Sequence, residues 1–306
     1  MDQRQLRALV AVGEHRSFSA AAKALLTVQS NISTHVSRLE AELGVVLIDR
    51  ATMELTDEGQ VVAERARRIE HEFEALTSDV AAMRDVVSGR VRAGVIGTTA
   101  RWLVPPLLTA LKEGYPEVHV VWLDATTSSL ALQLIGGQID LAVVNTPLEE
   151  PELTTTPLFD EDRLLVAPLH HPLADRESVT LAEISQHELL LEAEGTSFRA
   201  ELDDDAAAAG VQLRAQAEVD GMRLLASLAF AGFGAAVLPA SAAPGWLEGE
   251  WRRIPIEGMG RRSVGLARRR RGLPSAAERA VADTIHSVVA AEAPLQRGIH
   301  AVSSSG

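Results

Sequence analysis

Residues 18–43 read FSAAAKALLTVQSNISTHVSRLEAEL. This stretch constrains the fold more than any other, because it fits two short helices joined by a tight turn. Leu25, Val28, Ile32, Val36, Leu39 and Leu43 recur at intervals of three and four, which places them on one side of a 3.6-residue helix. Ala20, Ala21 and Ala22 let a preceding helix come close. Thr27 is placed to cap the second helix and Gly44 to end it.

The opposite face carries Gln29, Ser30, Ser33, Thr34, His35, Ser37 and Arg38, and no Asp or Glu occurs from Phe18 to Leu39. A face of small polar groups without acids can approach a phosphate-lined groove without repulsion. An ordinary amphipathic pair in a bundle would not require that absence. Gln29, Ser30, Ser33, Thr34 and His35 are the candidate contacts to base edges. Lys23, Thr27, Arg38 and Arg50 are the candidate phosphate contacts, which position a protein without specifying sequence.

On these residues the chain resembles the LysR-type transcriptional regulators. The match runs from LRALVAVGEH through VVLIDR and on into LTDEG at Leu55–Gly59. It includes Ser17-Phe18, the alanine pair with a later Leu, Gln29 and Ser33, and Leu39, Glu40, Leu43 and Gly44. Ser30 stands where the family usually has Pro, and the wing segment ATME is shorter than usual and lacks a basic residue. The resemblance implies a winged helix-turn-helix, a long linker helix, and a two-lobed α/β effector-binding domain of periplasmic-binding-protein type. It also implies double-stranded promoter DNA, a second copy of the chain (homodimer and homotetramer), RNA polymerase and a small-molecule effector as partners.

The expected domains are 1–58, the winged helix-turn-helix; 59–88, the linker; 89–292, the effector domain; and 293–306, a loose tail. Val62, Ala66, Ile69, Phe73, Leu76, Val80, Met83 and Val87 alternate at four and three residues. That is an a/d seam sustained for over three heptads, the pattern of helix pairing between two chains. Charged residues, among them Asp85, fill the intervening positions. A dimer built on this seam places two recognition helices on two half-sites.

From residue 91 onward short apolar runs alternate with helical patterns. Strands are expected at 91–97, 118–124, 139–145, 163–168, 188–192, 213–219, 234–239, 251–256 and 263–269. The crossings between lobes are expected near Pro168 and Arg268, giving lobe I as 89–167 with 268–292, and lobe II as 168–267. Ligands of such sheets lie at carboxyl ends of strands beside helix N-termini. That rule selects Thr98, Thr99 and Arg101; Thr127 and Ser128; Asn145; and Thr196, Ser197 and Arg199. The resemblance adds weight to the first and last of these loops. Hydroxyls, helix N-termini and two arginines suit a small anion, most simply a carboxylate.

Composition removes other classes. The 306 residues contain no Cys, so no disulfide, thiol nucleophile or thiolate metal site is available. GxSxG, Walker, HExxH and GxGxxG motifs are absent, which argues against an enzyme. His170-His171 reads as a turn, and neither a metal nor any cofactor besides the unknown effector is expected. Arg268–Arg271 reads as a strand end fraying into solvent. A net charge of −13 disfavours indiscriminate nucleic-acid coating and fits a small reading head on an acidic body. The N-terminus lacks a signal-peptide shape and no apolar run spans a bilayer, so a cytoplasmic protein without membrane contact is expected. The alternative is a small-molecule-binding protein of the same α/β fold that does not bind DNA.

Overall fold

The computed structural model describes residues 1–84 and 86–302. Asp85 of the expected linker and residues 303–306 of the expected tail lie outside the described residues. The chain begins with three helices, α1 (Gln3–His15), α2 (Phe18–Ala24) and α3 (Gln29–Leu43), and a two-residue ribbon, β1 (Ile48–Asp49) and β2 (Glu54–Leu55). Asp2 and Gln5 close a reciprocal capping box on α1, and Ser17 caps α2. Ile32, Val36 and Leu39 of α3 join Leu9, Val12, Phe18, Leu47 and Ile48 in one core. Each such side chain contributes roughly 2 kcal/mol by leaving water.

The N-cap of α3 is Val28, not Thr27, and it supplies no side-chain cap. The Thr27 hydroxyl instead accepts a hydrogen bond from Asn31 Nδ2 at 3.0 Å. Val28 is 60% exposed and Leu43 40% exposed, so the buried seam of α3 is shorter than its spacing suggests. Leu26 occupies the left-handed turn between α2 and α3 with φ 53°.

Thr56 caps the long helix α4 (Asp57–Ala82). It ends before the expected seam does. Met83 is the C-cap, Val87 lies beyond the helix, and β-branched Val86 and Val87 lead into an extended segment instead. Ala63 and Ala66 are buried on the winged-helix core, with Val62 packed beside them. Ile69, Phe73, Leu76, Val80 and Met83 remain as an exposed apolar stripe.

The remainder folds as β3 (Gly89–Val95), α5 (Gly97–Gly114), β4 (Val118–Asp124), α6 (Thr127–Ile135), β5 (Leu141–Thr146), β6 (Leu153–Glu161), β7 (Arg163–Pro168), β8 (Val179–Thr180), α7 (Leu181–Ile184), β9 (Glu188–Glu192), α8 (Ser197–Ala208), β10 (Arg214–Val219), α9 (Met222–Phe230), β11 (Ala236–Pro239), β12 (Trp251–Glu257), β13 (Arg262–Arg269), α10 (Ala276–Glu292) and β14 (Ile299–Ala301). Lobe I is a six-stranded sheet in the order β14-β6-β13-β5-β3-β4, and lobe II is built on the sheet β11-β7-β12-β8 with the parallel pair β9 and β10. The sheets correct the expected lobe boundaries. β7 pairs with β11 and β12, so Arg163–Pro168 belongs to lobe II; β13 pairs with β5 and β6, so Arg262–Arg269 belongs to lobe I. The chain crosses around Asp162 and again between Glu257 and Arg262. The tail is also corrected, because Ile299–Ala301 pairs with β6 and buries Ile299.

The charged side of α4 lies along lobe I. Arg68 donates to the Ile135 carbonyl at 2.8 Å, and Glu74 pairs with Arg92 at 3.2 Å. Asp79 and Ser78 accept from the Ala276 and Ala277 N–H groups at 2.8 and 3.2 Å, so the linker caps the first turn of α10. His71 sits between two buried carboxylates, with Nδ1 3.3 Å from Asp140 and Nε2 2.9 Å from Glu278. Hydrogen bonds donated by the ring to both carboxylates outweigh burial and raise its pKa to about 9, so the ring is an imidazolium holding α4 to the lobe. The charged residues between the seam positions therefore form a docking face on lobe I.

Candidate DNA interface and effector cleft

The recognition face of α3 forms as its pattern requires. Gln29, Ser30, Thr34 and Arg38 are exposed, as is Lys23 of α2, while Ser33 and Thr27 are half-buried. The Thr34 hydroxyl donates back to the Ser30 carbonyl at 2.8 Å, leaving it an acceptor toward any outside partner. His35 is half-buried and near enough to Asp2 to help lower that carboxyl, which is held down mainly by the Gln5 N–H. Arg50 pairs with Glu40 at 3.1 Å and lies 4.7 Å from the Phe18 ring centroid, so it braces the wing root. Asn31, exposed on α3, was not singled out; its place one turn before His35 was the available signal.

Between the lobes lies a cavity of about 550 Å³. Lobe I lines it with Gly97, Thr98, Arg101, Trp122 and Asp124, and lobe II with Arg223, Phe230 and Ser241, among others. Of the residues selected from sequence, Thr98 and Arg101 reach this lining. Thr99 is fully buried beside it, with no partner for its hydroxyl. Thr127 and Asn145 meet each other, since the Asn145 N–H donates to the Thr127 hydroxyl at 3.1 Å, and Ser128 is exposed at the start of α6.

Thr196 caps α8 through the Arg199 N–H and donates to Glu192 at 3.2 Å. Ser197 is exposed next to it. Arg199 is a corrected expectation: it is buried, and donates to Asp203 at 2.8 Å and to Glu218 and the Glu192 carbonyl at 2.9 Å. Its Nε and Nη1 donors are thus engaged within lobe II, and it does not line the cavity.

Arg262 links the first and fourth loops and was not identified from sequence. It is buried, pairs with Glu161, donates to the Thr98 hydroxyl at 3.3 Å and lies 5.9 Å from the Phe198 ring. Burial is also the main reason the neighbouring Glu192 carboxyl is raised.

Capping separates the helix starts at the cleft. Thr126 and Thr196 fill the N-termini of α6 and α8 with their own hydroxyls. The N-caps of α5 and α9 are Ile96 and Gly221, which supply none. The first turn of α5, Gly97 and Thr98, lines the cavity and brings partial positive charge to it, and α9 lines the facing side through Arg223 and residues further along the helix. Asp124 stands between them: its carboxylate pairs with Arg223 across the cleft, and a Cβ placed on Gly97 would meet Asp124 Oδ1 at 2.8 Å. Arg101 lies 5.1 Å from the Trp246 ring, and the buried Trp122 N–H has no partner.

His170 and His171 carry no metal geometry; His171 packs edge-on to His187 at 4.9 Å, and burial lowers its pKa. Among the described residues no helix is long and apolar enough to cross a membrane.

The family model for a bacterial regulatory helix-turn-helix protein of the lysR family matches residues 3–60, and that for the LysR substrate binding domain matches residues 84–290. A probable hydrogen peroxide-inducible genes activator of Mycobacterium leprae is 34% identical over 300 residues, covering 94% of each chain. The DNA-binding transcriptional dual regulator OxyR of Escherichia coli is 30% identical over 246 residues, 80% of this chain and 81% of that one. The solved structure of full-length CbnR complexed with target DNA superposes with a TM-score of 0.70 at 26% identity, covering 96% of this chain and 100% of that one. The chain belongs to the LysR family of DNA-binding transcriptional regulators, which act as oligomers, and it is not an enzyme.

Proposed function

We propose that this regulator reads DNA through Gln29, Ser30, Ser33 and Thr34 of α3, and that a small carboxylate bound between the lobes controls it. The observation that carries the effector class is the position of Asp124. A carboxylate of the protein already lies beside the uncapped start of α5 and bridges to Arg223 on α9. A ligand carboxylate fits the same field, with Arg101 and the Trp122 N–H as further donors. By taking the place of Asp124, it would exchange a lobe-to-lobe bridge for ligand contacts and so change the cleft. The exposed Ile69–Met83 stripe pairs with a second copy and transmits the change to two recognition helices. This role places the protein in the cytoplasm with its DNA.

Several relatives are named as peroxide-inducible activators. Peroxide signalling through a protein thiol needs a cysteine to oxidise, and this chain has none. The lack of a cysteine therefore favours a ligand that binds without electron transfer. Thermal-shift screening of organic acids tests the effector class. Stabilisation by at least one carboxylate is expected, weakened by Arg101→Gln and strengthened by Asp124→Asn, which removes the internal competitor. Stabilisation by cations alone, or indifference to both substitutions, would refute it.

A further inference from the structure

A second cavity, of about 740 Å³, lies between α4 and lobe I, away from the cleft. Arg65 and Arg68 of α4 line one side, and Arg268 through Arg271, at the end of β13, line the other. Six arginines thus meet four carboxylates, in a chain whose net charge is −13. Two of the four, Asp140 and Glu278, are already engaged by the His71 imidazolium.

Among the described residues none of the six arginines forms an ion pair. The hydrogen bonds they make go to backbone carbonyls: Arg269 to Leu134 and Ile139 at 3.1 and 2.7 Å, and Arg270 to Pro151 and Leu153 at 2.9 and 3.1 Å. Carbonyls fix the orientation of these guanidinium groups without neutralising them. Arg68 likewise has one carbonyl partner, and its buried Nε has none. In the run expected to fray into solvent, Arg269 and Arg270 are held by these carbonyls, while Arg270 and Arg271 are exposed.

Arg68, Arg268 and Arg269 are half-buried and unpaired beside three exposed arginines, and such a concentration of like charge favours an anion that completes it. Planar forks match phosphate oxygens, and Ile135, Pro151, Leu273 and Pro274 supply an apolar wall. We propose that this cavity binds a phosphorylated small molecule carrying at least two negative charges. Because both walls contribute arginines, the bound anion bridges the linker helix and lobe I and fixes the angle between them. The site is independent of the carboxylate reading of the cleft.

Isothermal titration of the full-length protein with inorganic pyrophosphate, at constant ionic strength, tests it. Binding at one site per chain is expected, weakened about tenfold or more in the double variant Arg68→Gln/Arg268→Gln and unchanged in Arg101→Gln. Should the double variant misfold by circular dichroism, Arg65→Gln, exposed on α4, is expected to weaken binding about threefold. The proposal is overturned by absence of binding up to about 10 mM, or by equal affinity in the arginine variants. Loss in Arg101→Gln alone would place the anion in the cleft and also overturn it. So would reduced DNA affinity in the arginine variants without any pyrophosphate binding, since the arginines would then serve the duplex.

Discussion

A threonine before a helix looks the same in sequence whether it caps its own helix or waits for a ligand. Thr126 and Thr196 turn out to be spent on their own helices, while the uncapped starts follow Ile96 and Gly221, which carry no polar signal. Arg199 and Arg262 are equally indistinguishable in sequence, because the residues that occupy them, Asp203, Glu218 and Glu161, come mostly from distant strands. The outward row of α3 was legible because its period and its lack of acids are local properties. It gives a prediction at this scale. Gln29→Ala is expected to lower affinity for its specific site, on a fragment from upstream of its own gene, about tenfold while leaving random DNA unchanged. Arg38→Ala should weaken both alike. Gel-shift titrations on specific and random fragments check this; parallel losses from both substitutions would refute the split.

Elements with strong periodicity were legible to within a few residues, whereas β6 was missed. Its sequence LTTTPLFDE lacks a clean alternation. It also contains Pro157, which opposes Gly265 where the register to β13 shifts. Lobe membership of β7 and β13 was misread for another reason: which sheet a strand joins depends on remote partners, not on its own pattern.

The linker helix was legible from its seam, but the role of its charged side was not, since an ion-rich face can meet water or a partner lobe. At the root of that helix Gly59 packs against the Leu47 backbone, just before β1. A Cβ there would lie 2.0 Å from the Leu47 carbonyl oxygen. Gly59→Ala is expected to cost the winged helix about 2 kcal/mol and lower its unfolding midpoint by about 10 °C. Calorimetry should show the effector-domain transition unmoved, and an unshifted first transition would contradict the packing.

At the scale of the molecule, the linker and the cleft sit at opposite ends of the same strands. Arg92 of β3 and Asp140, just before β5, meet α4; the far end of β3 leads into Thr98, and that of β5 into Asn145. The Arg92 N–H also donates to Asp140 at 2.7 Å, tying the two strands together at the linker. The His71 triad makes this joint sensitive to pH. Its pKa of about 9 lies above the ordinary 6.5, so its contribution is complete below pH 6.5 and fades as pH rises through 9. The wild type is expected to exceed His71→Gln by about 2 kcal/mol at neutral pH. The gap in thermal midpoint should close by about pH 10, and a gap independent of pH would mean that the ring is not charged.

The central claim is that a carboxylate in the cleft alters how paired α3 helices sit on DNA. Footprinting on the upstream fragment tests it directly, with and without the acid giving the largest thermal shift, in the wild type and in Arg101→Gln. The acid is expected to move the footprint boundary or change affinity in the wild type and to do neither in the variant. An identical footprint and affinity with and without saturating acid, or the same response in Arg101→Gln, would contradict it.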